Sequence, residues 1–274
     1  MSTYQTLRIE GPSSTGVATV FLSNGKVNAM SSLFFQEIGE CFTALAKDTN
    51  IRCCVLRADG KYFTVGLDLK DAASSNNTNE TSDSARKALK QRLHVLELQA
   101  TFTTLEKCPF PIIFACHGAC IGGGIDLSCC CDIRVASKEA WFCIKEVDVG
   151  LAADLGTLQR IEKLCGNAST IRELSYTARK FTAMEAKELG LLSTVYENNT
   201  EMLKGVYVLA EEIASKSPVA IYGTKINLNY SRDHTVANSL DYQATWSGPM
   251  LATEDLPKSF IASLQKKKAT YSKL

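Results

Sequence analysis

Along the first part of the chain, apolar residues come in short runs broken by turn-forming residues, a pattern that predicts strands separated by helices. Thr6 to Glu10 and Val17 to Leu22 are β-rich and flank Gly11-Pro12-Ser13-Ser14-Thr15-Gly16, which predicts a hairpin. Ser31 to Ala46 repeats its apolar residues at helical spacing after a Ser start, whereas Ile51 to Leu56 is a continuous apolar run suited to a buried strand. Pro111 to Cys116 and Cys131 to Val135 predict two further buried strands. Strands that alternate with helices need crossover connections, so the fold class is α/β with a largely parallel sheet.

Ala73 to Ser84 is a run of Ser, Asn, Thr and acidic residues that predicts a mobile loop. Ala85 to Lys107 predicts a long amphipathic helix, with Leu89, Leu93, Leu96, Leu98 and Phe102 on its apolar side. From Thr182 onward the pattern is helix after helix: Thr182 to Leu189, Glu201 to Ser215, Val219 to Tyr230, Thr235 to Trp246, and Glu254 to Lys268. No internal repeat and no long linker interrupts this order.

Charge and composition narrow the function. Thirty Lys and Arg against 29 Asp and Glu leave a net charge of +1, so no overall basic field exists to hold a nucleic-acid backbone. Eleven cysteines in 274 residues, with no C-x-x-C pair, fit small core residues in a reducing compartment better than disulfides or a zinc site, and no metal is expected. Cys108 to Ile125 carries no charge, but its prolines and glycines describe strand, turn and helix start rather than a membrane span. The N-terminal residues, Met1 to Glu10, lack the apolar core of a signal peptide. Ser272-Lys273-Leu274 matches the peroxisomal address that an import receptor reads at a free C-terminus.

Candidate chemistry begins at His117-Gly118-Ala119-Cys120-Ile121-Gly122-Gly123-Gly124-Ile125-Asp126-Leu127, which follows a predicted strand and opens a predicted helix. Such a start exposes backbone N–H groups to an anion, although glycines also serve simply to let a strand and a helix pack closely. A second segment, Asp59-Gly60-Lys61-Tyr62-Phe63-Thr64-Val65-Gly66-Leu67-Asp68-Leu69, follows the earlier strand. Neither contains the dinucleotide pattern or the Lys-Ser/Thr of a P-loop. Two strand-end loops that present donors to one oxygen would form an oxyanion hole.

These two segments, together with Ala115 to Asp132 and the helix-rich end, resemble the crotonase, or enoyl-CoA hydratase/isomerase, superfamily. The resemblance implies a spiral of ββα turns over residues 1–195, a helical C-terminal oligomerisation region over residues 196–274, and a homotrimer or homohexamer. It implies an acyl-CoA thioester substrate, in which coenzyme A is part of the substrate and no separate cofactor is needed. The thioester oxygen would lie between the N–H groups of Leu67 and Gly123, with Lys61, Phe63, Val65 and Gly66 contacting substrate or coenzyme A. Phe63 is equally a candidate for the core or the pocket wall, and Lys61 for a solvated surface.

In this superfamily the acids around the pocket decide the reaction, and here they are Asp126, Glu146 and Asp154. Hydratases resemble the chain at the first two, where they carry glutamates, and typically have glycine at the third. The segments from Glu146 to Arg160, Asn229 to His234 and Ser239 to Tyr242 resemble instead the branch that isomerises dienoyl thioesters. Some members of that branch carry a mitochondrial presequence, and none is evident here, which favours a peroxisome. Moving a 3,5-diene to the 2,4 position takes a proton from carbon 2 and adds one at carbon 6. Two carboxyls divide the proton transfers, with Glu146 as an ionised base, Asp154 as a protonated acid, and Asp126 modulating the pair. The apolar flanks of Glu146 and Asp154 predict burial for both. The alternatives are a hydratase using Asp126 and Glu146, and a non-catalytic assembly or RNA-binding protein on the same fold.

Overall fold

The computed structural model describes residues 4–75 and 83–274. Its strands are β1 (Leu7–Glu10), β2 (Val17–Leu22), β3 (Cys53–Ala58), β4 (Ile112–Cys116), β5 (Ala119–Ile121), β6 (Ile133–Ser137), β7 (Trp141–Cys143), β8 (Phe181–Thr182) and β9 (Thr194–Tyr196). The helices are α1 (Ser32–Leu45), α2 (Leu69–Ser75), α3 (Ser84–Lys107), α4 (Gly123–Cys129), α5 (Thr157–Leu164), α6 (Ala168–Thr177), α7 (Ala183–Glu188), α8 (Asn199–Ala214), α9 (Pro218–Ser231), α10 (Val236–Met250) and α11 (Asp255–Leu264). A 3-10 turn spans Glu146–Val149.

The large sheet runs β1-β2-β3-β4-β6-β9, antiparallel only between β1 and β2, so the predicted hairpin opens a parallel sheet. Its central strands are buried along their length because both faces are covered. Alternate residues face opposite ways: Cys54, Leu56, Ile112 and Phe114 join a core shared with α1 and the end of α3, whereas Cys53, Val55, Ile113 and Ala115 join Met202, Val206 and Ala210 of α8. α8, which the sequence placed in the C-terminal region beginning at residue 196, therefore completes the α/β core. All eleven cysteines are free and buried, as small core residues.

α1 starts where expected, with the Ser31 side chain accepting from the Phe34 N–H. α3 spans the predicted range but buries only part of the predicted face. Phe102 and Leu105 are in the core, while Leu89, Leu93 and Leu96 are exposed, because only the C-terminal half of the helix lies against the body. The predicted loop overlaps the end of α2, and residues 76–82 of it lie outside the described residues. The strands β5, β7, β8 and β9 were not expected; each is three residues or fewer, too short for a period of two to register.

A smaller sheet, β5-β7-β8, stacks beside the large one and creates the spiral. In successive turns the chain passes from β4 to β5 to α4, and from β6 to β7 to the 3-10 turn. The segment after β3 does the same, because Thr64 forms a parallel bridge to Cys120. Cys120 is in turn paired with Phe142 of β7, so Thr64, Cys120 and Phe142 lie in one row across three stacked turns. Neighbours in such a row are roughly 4.8 Å apart.

Candidate active site

The row sets the site. Leu67 follows Thr64 by three residues, Gly123 follows Cys120 by three, and Glu146 follows Phe142 by four. Residues far apart in sequence thus leave the small sheet at one level. Met30 brackets Leu67: its N–H donates to the Gly66 carbonyl at 2.8 Å, and its carbonyl accepts from the Asp68 N–H at 2.9 Å. That pairing turns the Leu67 N–H to the side away from Met30. Gly66 has φ +84°, and a Cβ there would stand 2.9 Å from the Ile121 carbonyl oxygen, so the first loop touches the strand that leads into α4. Gly123 lies against Met30 from the other loop, since a Cβ on it would come within 2.8 Å of the Met30 sulfur. Its N–H belongs to the first turn of α4, which has no partner within the helix. The two segments predicted to supply amide donors are therefore in contact, with Met30 common to both.

Glu146 sits beside them. The Gly122 N–H donates to the Cys143 carbonyl at 2.9 Å, and a Cβ on Gly122 would lie 3.2 Å from Glu146 Oε1. The other carboxylate oxygen, Oε2, is buried with no hydrogen-bond partner among the described residues. Burial pushes the Glu146 carboxyl from its ordinary 4.5 up to about 7, and the charge of Asp126 adds to that, with Asp154 contributing less. Asp126 is 1% exposed, in the first turn of α4, and its Oδ1 accepts from the Thr157 N–H at 2.6 Å. Burial raises it to about 6, the Thr157 contacts oppose that rise, and the charge of Asp154 reinforces it against Arg160. The charges of Asp126 and Asp154 therefore both bear on Glu146, and that of Asp154 bears on Asp126.

Asp154 differs from the expectation. It is exposed, as are Val147, Val149 and Leu151, so the apolar flanks that predicted burial face outward. The carboxyls that burial pushes toward neutrality are Glu146 and Asp126. Asp154 begins the short connection to α5, where its carbonyl accepts from Gln99 Nε2 of α3 at 2.6 Å. Gly156 N-caps α5, and Thr157 meets Asp126, which brings Asp126 and the segment of Asp154 to the junction of α4 and α5.

The remaining predicted contacts divide. Lys61 is exposed with its ammonium 5.0 Å from the Tyr62 ring, Val65 is half-buried, and Leu67 is 45% exposed. Phe63 has no exposed surface and packs on Phe114 with ring centroids 4.4 Å apart, so it is a core residue. His117 Nε2 pairs with the Gly60 carbonyl at 3.0 Å and ties the two glycine loops together. Met30 and Gln99 carry no local motif, and their place at the site follows only from stacking; Arg160 stands at the end of a recognised segment, but its contact with α3 does not follow from it. Ser272 is held against the body, its hydroxyl donating to Glu254 Oε1 at 2.5 Å and its carbonyl accepting from Arg52 at 3.1 Å. Lys273 and Leu274 are exposed.

This spiral, with two glycine-bearing loops in contact at its turn ends, is the crotonase fold. A solved enoyl-CoA hydratase from Bacillus anthracis superposes with a TM-score of 0.87 at 26% identity, covering 97% of this chain and 99% of that one. Residues 13–273 match the Enoyl-CoA hydratase/isomerase family, and the chain belongs to it. Among its relatives, the mitochondrial Delta(3,5)-Delta(2,4)-dienoyl-CoA isomerase of Mus musculus is 50% identical over 252 residues, 91% of this chain and 77% of that protein. The human mitochondrial enzyme of the same name is 46% identical over 99% of this chain and 84% of its own. The peroxisomal Delta(3,5)-Delta(2,4)-dienoyl-CoA isomerase of Arabidopsis thaliana is 40% identical over 100% of this chain and 99% of its own.

Proposed function

We propose that this chain converts 3,5-dienoyl-CoA to 2,4-dienoyl-CoA. The observation that carries the reading is the placement of three carboxyls, Asp126, Glu146 and Asp154, close enough for the charge of Asp154 to bear on the other two, beside the Leu67 and Gly123 loops. Likeness to three dienoyl-CoA isomerases over nearly the whole chain supports it. Glu146 takes the proton from carbon 2, and the electron pair spreads along the diene to the thioester oxygen. The Leu67 and Gly123 amides hold that oxygen, each such donor contributing about 2.7–4 kcal/mol to the transition state. Asp154, covered by the acyl chain once substrate is bound, delivers a proton to carbon 6. The cycle ends with the proton on Glu146 and none on Asp154, and exchange with water resets both. Asp126 keeps Glu146 basic through its charge.

Incubation with 3,5-dienoyl-CoA should produce the absorbance of a conjugated 2,4-dienoyl thioester, and Asp154→Asn should lower that rate about 10²–10⁴-fold. Turnover of 2-enoyl-CoA with loss of its absorbance, and none of the diene, would instead favour hydration. That second reading draws on the fact that the two acids with raised pKa are Asp126 and Glu146. Ser272-Lys273-Leu274 and the peroxisomal Arabidopsis relative support a peroxisomal location, within oxidation of unsaturated fatty acids. Loss of punctate fluorescence from a tagged Lys273→Glu variant would test it. Exposed Leu240, Phe260, Ile261 and Leu264 on the last two helices support a trimer or hexamer, measurable by light scattering.

A further inference from the structure

The acid expected at carbon 6 is the one carboxyl of the three that burial does not hold, so something else must set its position. One face of α3 supplies it. Gln99, Thr103 and Glu106 are spaced four and three residues apart and project from the same side of the helix. Gln99 Nε2 donates to the carbonyl of Asp154 itself at 2.6 Å. Glu106 takes both ends of the Arg160 guanidinium, Nε to Oε1 at 3.1 Å and Nη2 to Oε2 at 2.9 Å, while Thr103 Oγ1 lies 3.4 Å from Nη2. Arg232, beyond α9, closes on the same Glu106 at 2.7 Å, and Asn229 donates to the Glu106 carbonyl at 3.3 Å.

Arg160 then reaches back over the loop that carries Asp154. A Cβ on Gly156 would overlap Arg160 Nη1, so the guanidinium occupies the space that any larger residue at 156 would need. Gly156 also has φ +128°, a conformation L side chains rarely adopt. The loop is thereby gripped at two points by α3: directly through Gln99 at residue 154, and through Glu106 and Arg160 at residue 156.

We propose that Gln99, with Glu106 and Arg160, forms a positioning clasp that aims Asp154 at the far carbon of the conjugated chain, and that these are positioning residues for one of the two proton transfers only. This rests on the reading above, in which Glu146 serves carbon 2 and Asp154 serves carbon 6. Glu146 instead follows β7 and lies beside Gly122.

The test uses Gln99→Met, which keeps side-chain bulk and removes the donor from a half-buried position where folding should survive. Arg160→Lys is the second variant, since a lysine keeps the charge and cannot span both oxygens of Glu106. Each is incubated with 3,5-dienoyl-CoA in deuterated water; deuterium at carbon 2 of recovered substrate and formation of 2,4-dienoyl product are followed together. Misplacing a reacting group by an ångström can cost on the order of 10²-fold, so product formation should fall about 10–100-fold while the ratio of carbon 2 exchange to product rises tenfold or more. Asp154→Asn should show the same split. If Asp154→Asn separates the steps and Gln99→Met does not, the clasp is refuted and the reaction reading stands. If Asp154→Asn slows both steps in proportion, the division of labour fails, and the clasp fails with it.

Discussion

Replacing Asp126 by Asn should make the enzyme active at lower pH. Burial is the larger cause of the high Glu146 pKa, and the Asp126 charge is the next. Both act to raise the carboxyl from 4.5 to about 7, so removing the Asp126 charge should lower the Glu146 pKa while burial keeps it above 4.5. Asparagine keeps an oxygen where Asp126 Oδ1 accepts from the Thr157 N–H at 2.6 Å, so the start of α5 retains its partner. The assay is kcat/KM for 3,5-dienoyl-CoA from pH 5 to 9 at constant ionic strength, which reports the free enzyme. The rising limb should have its midpoint near 7 in the parent chain and at lower pH in the variant, because the base must be ionised to act. Below pH 7 the variant should therefore hold more ionised base than the parent at the same pH. A limb that stays in place, or moves to higher pH, would refute the coupling of Asp126 to Glu146. Glu146→Gln should remove the limb altogether.

Three further outcomes follow from the same geometry. Gly66→Ala forces a side chain into φ +84° and to 2.9 Å from a backbone carbonyl, so it should cost about 1–3 kcal/mol and disturb the Leu67 amide, lowering kcat on the order of 10²-fold; unchanged kcat would disconnect this loop from the chemistry. Phe63→Ala should destabilise the chain by about 3–5 kcal/mol, read by denaturant melts, and leave KM of the folded fraction unchanged, because the ring contacts Phe114 in the core. The folded chain binds protons at Asp126 and Glu146 more tightly than the unfolded chain, so the stability these groups contribute is full below about pH 4 and is lost as pH rises through about 7. For Asp126 the rise from 3.8 to about 6 amounts to about 3 kcal/mol, so the stability of Asp126→Asn relative to the parent should climb by up to that much between pH 4 and 7.

Much of this molecule is legible in its order of residues. The hairpin of β1 and β2, the capped start of α1, the parallel strands β3 and β4 and the glycine turn into α4 all announce themselves, because their periodicity or turn chemistry is local. The three acids were also recognisable, since each stands in a short motif. Residues such as Met30 and Gln99 were not, because each acts through a neighbour that only the stacking of turns brings close. The exposed leucines of α3 show the same limit, since amphipathic spacing tells which side of a helix could be buried but not how far along it the body extends.

What the sequence alone determined is the inventory: an α/β chain with two glycine-bearing loops and three carboxyls, whose identities and spacing are covalent facts. The tertiary structure decided the row of Thr64, Cys120 and Phe142, and hence that Leu67, Gly123 and Glu146 meet. It also decided that burial falls on Glu146 and Asp126 while leaving Asp154 open. Desolvation depends on which atoms surround a group in space, and neighbours along the chain do not contain that information.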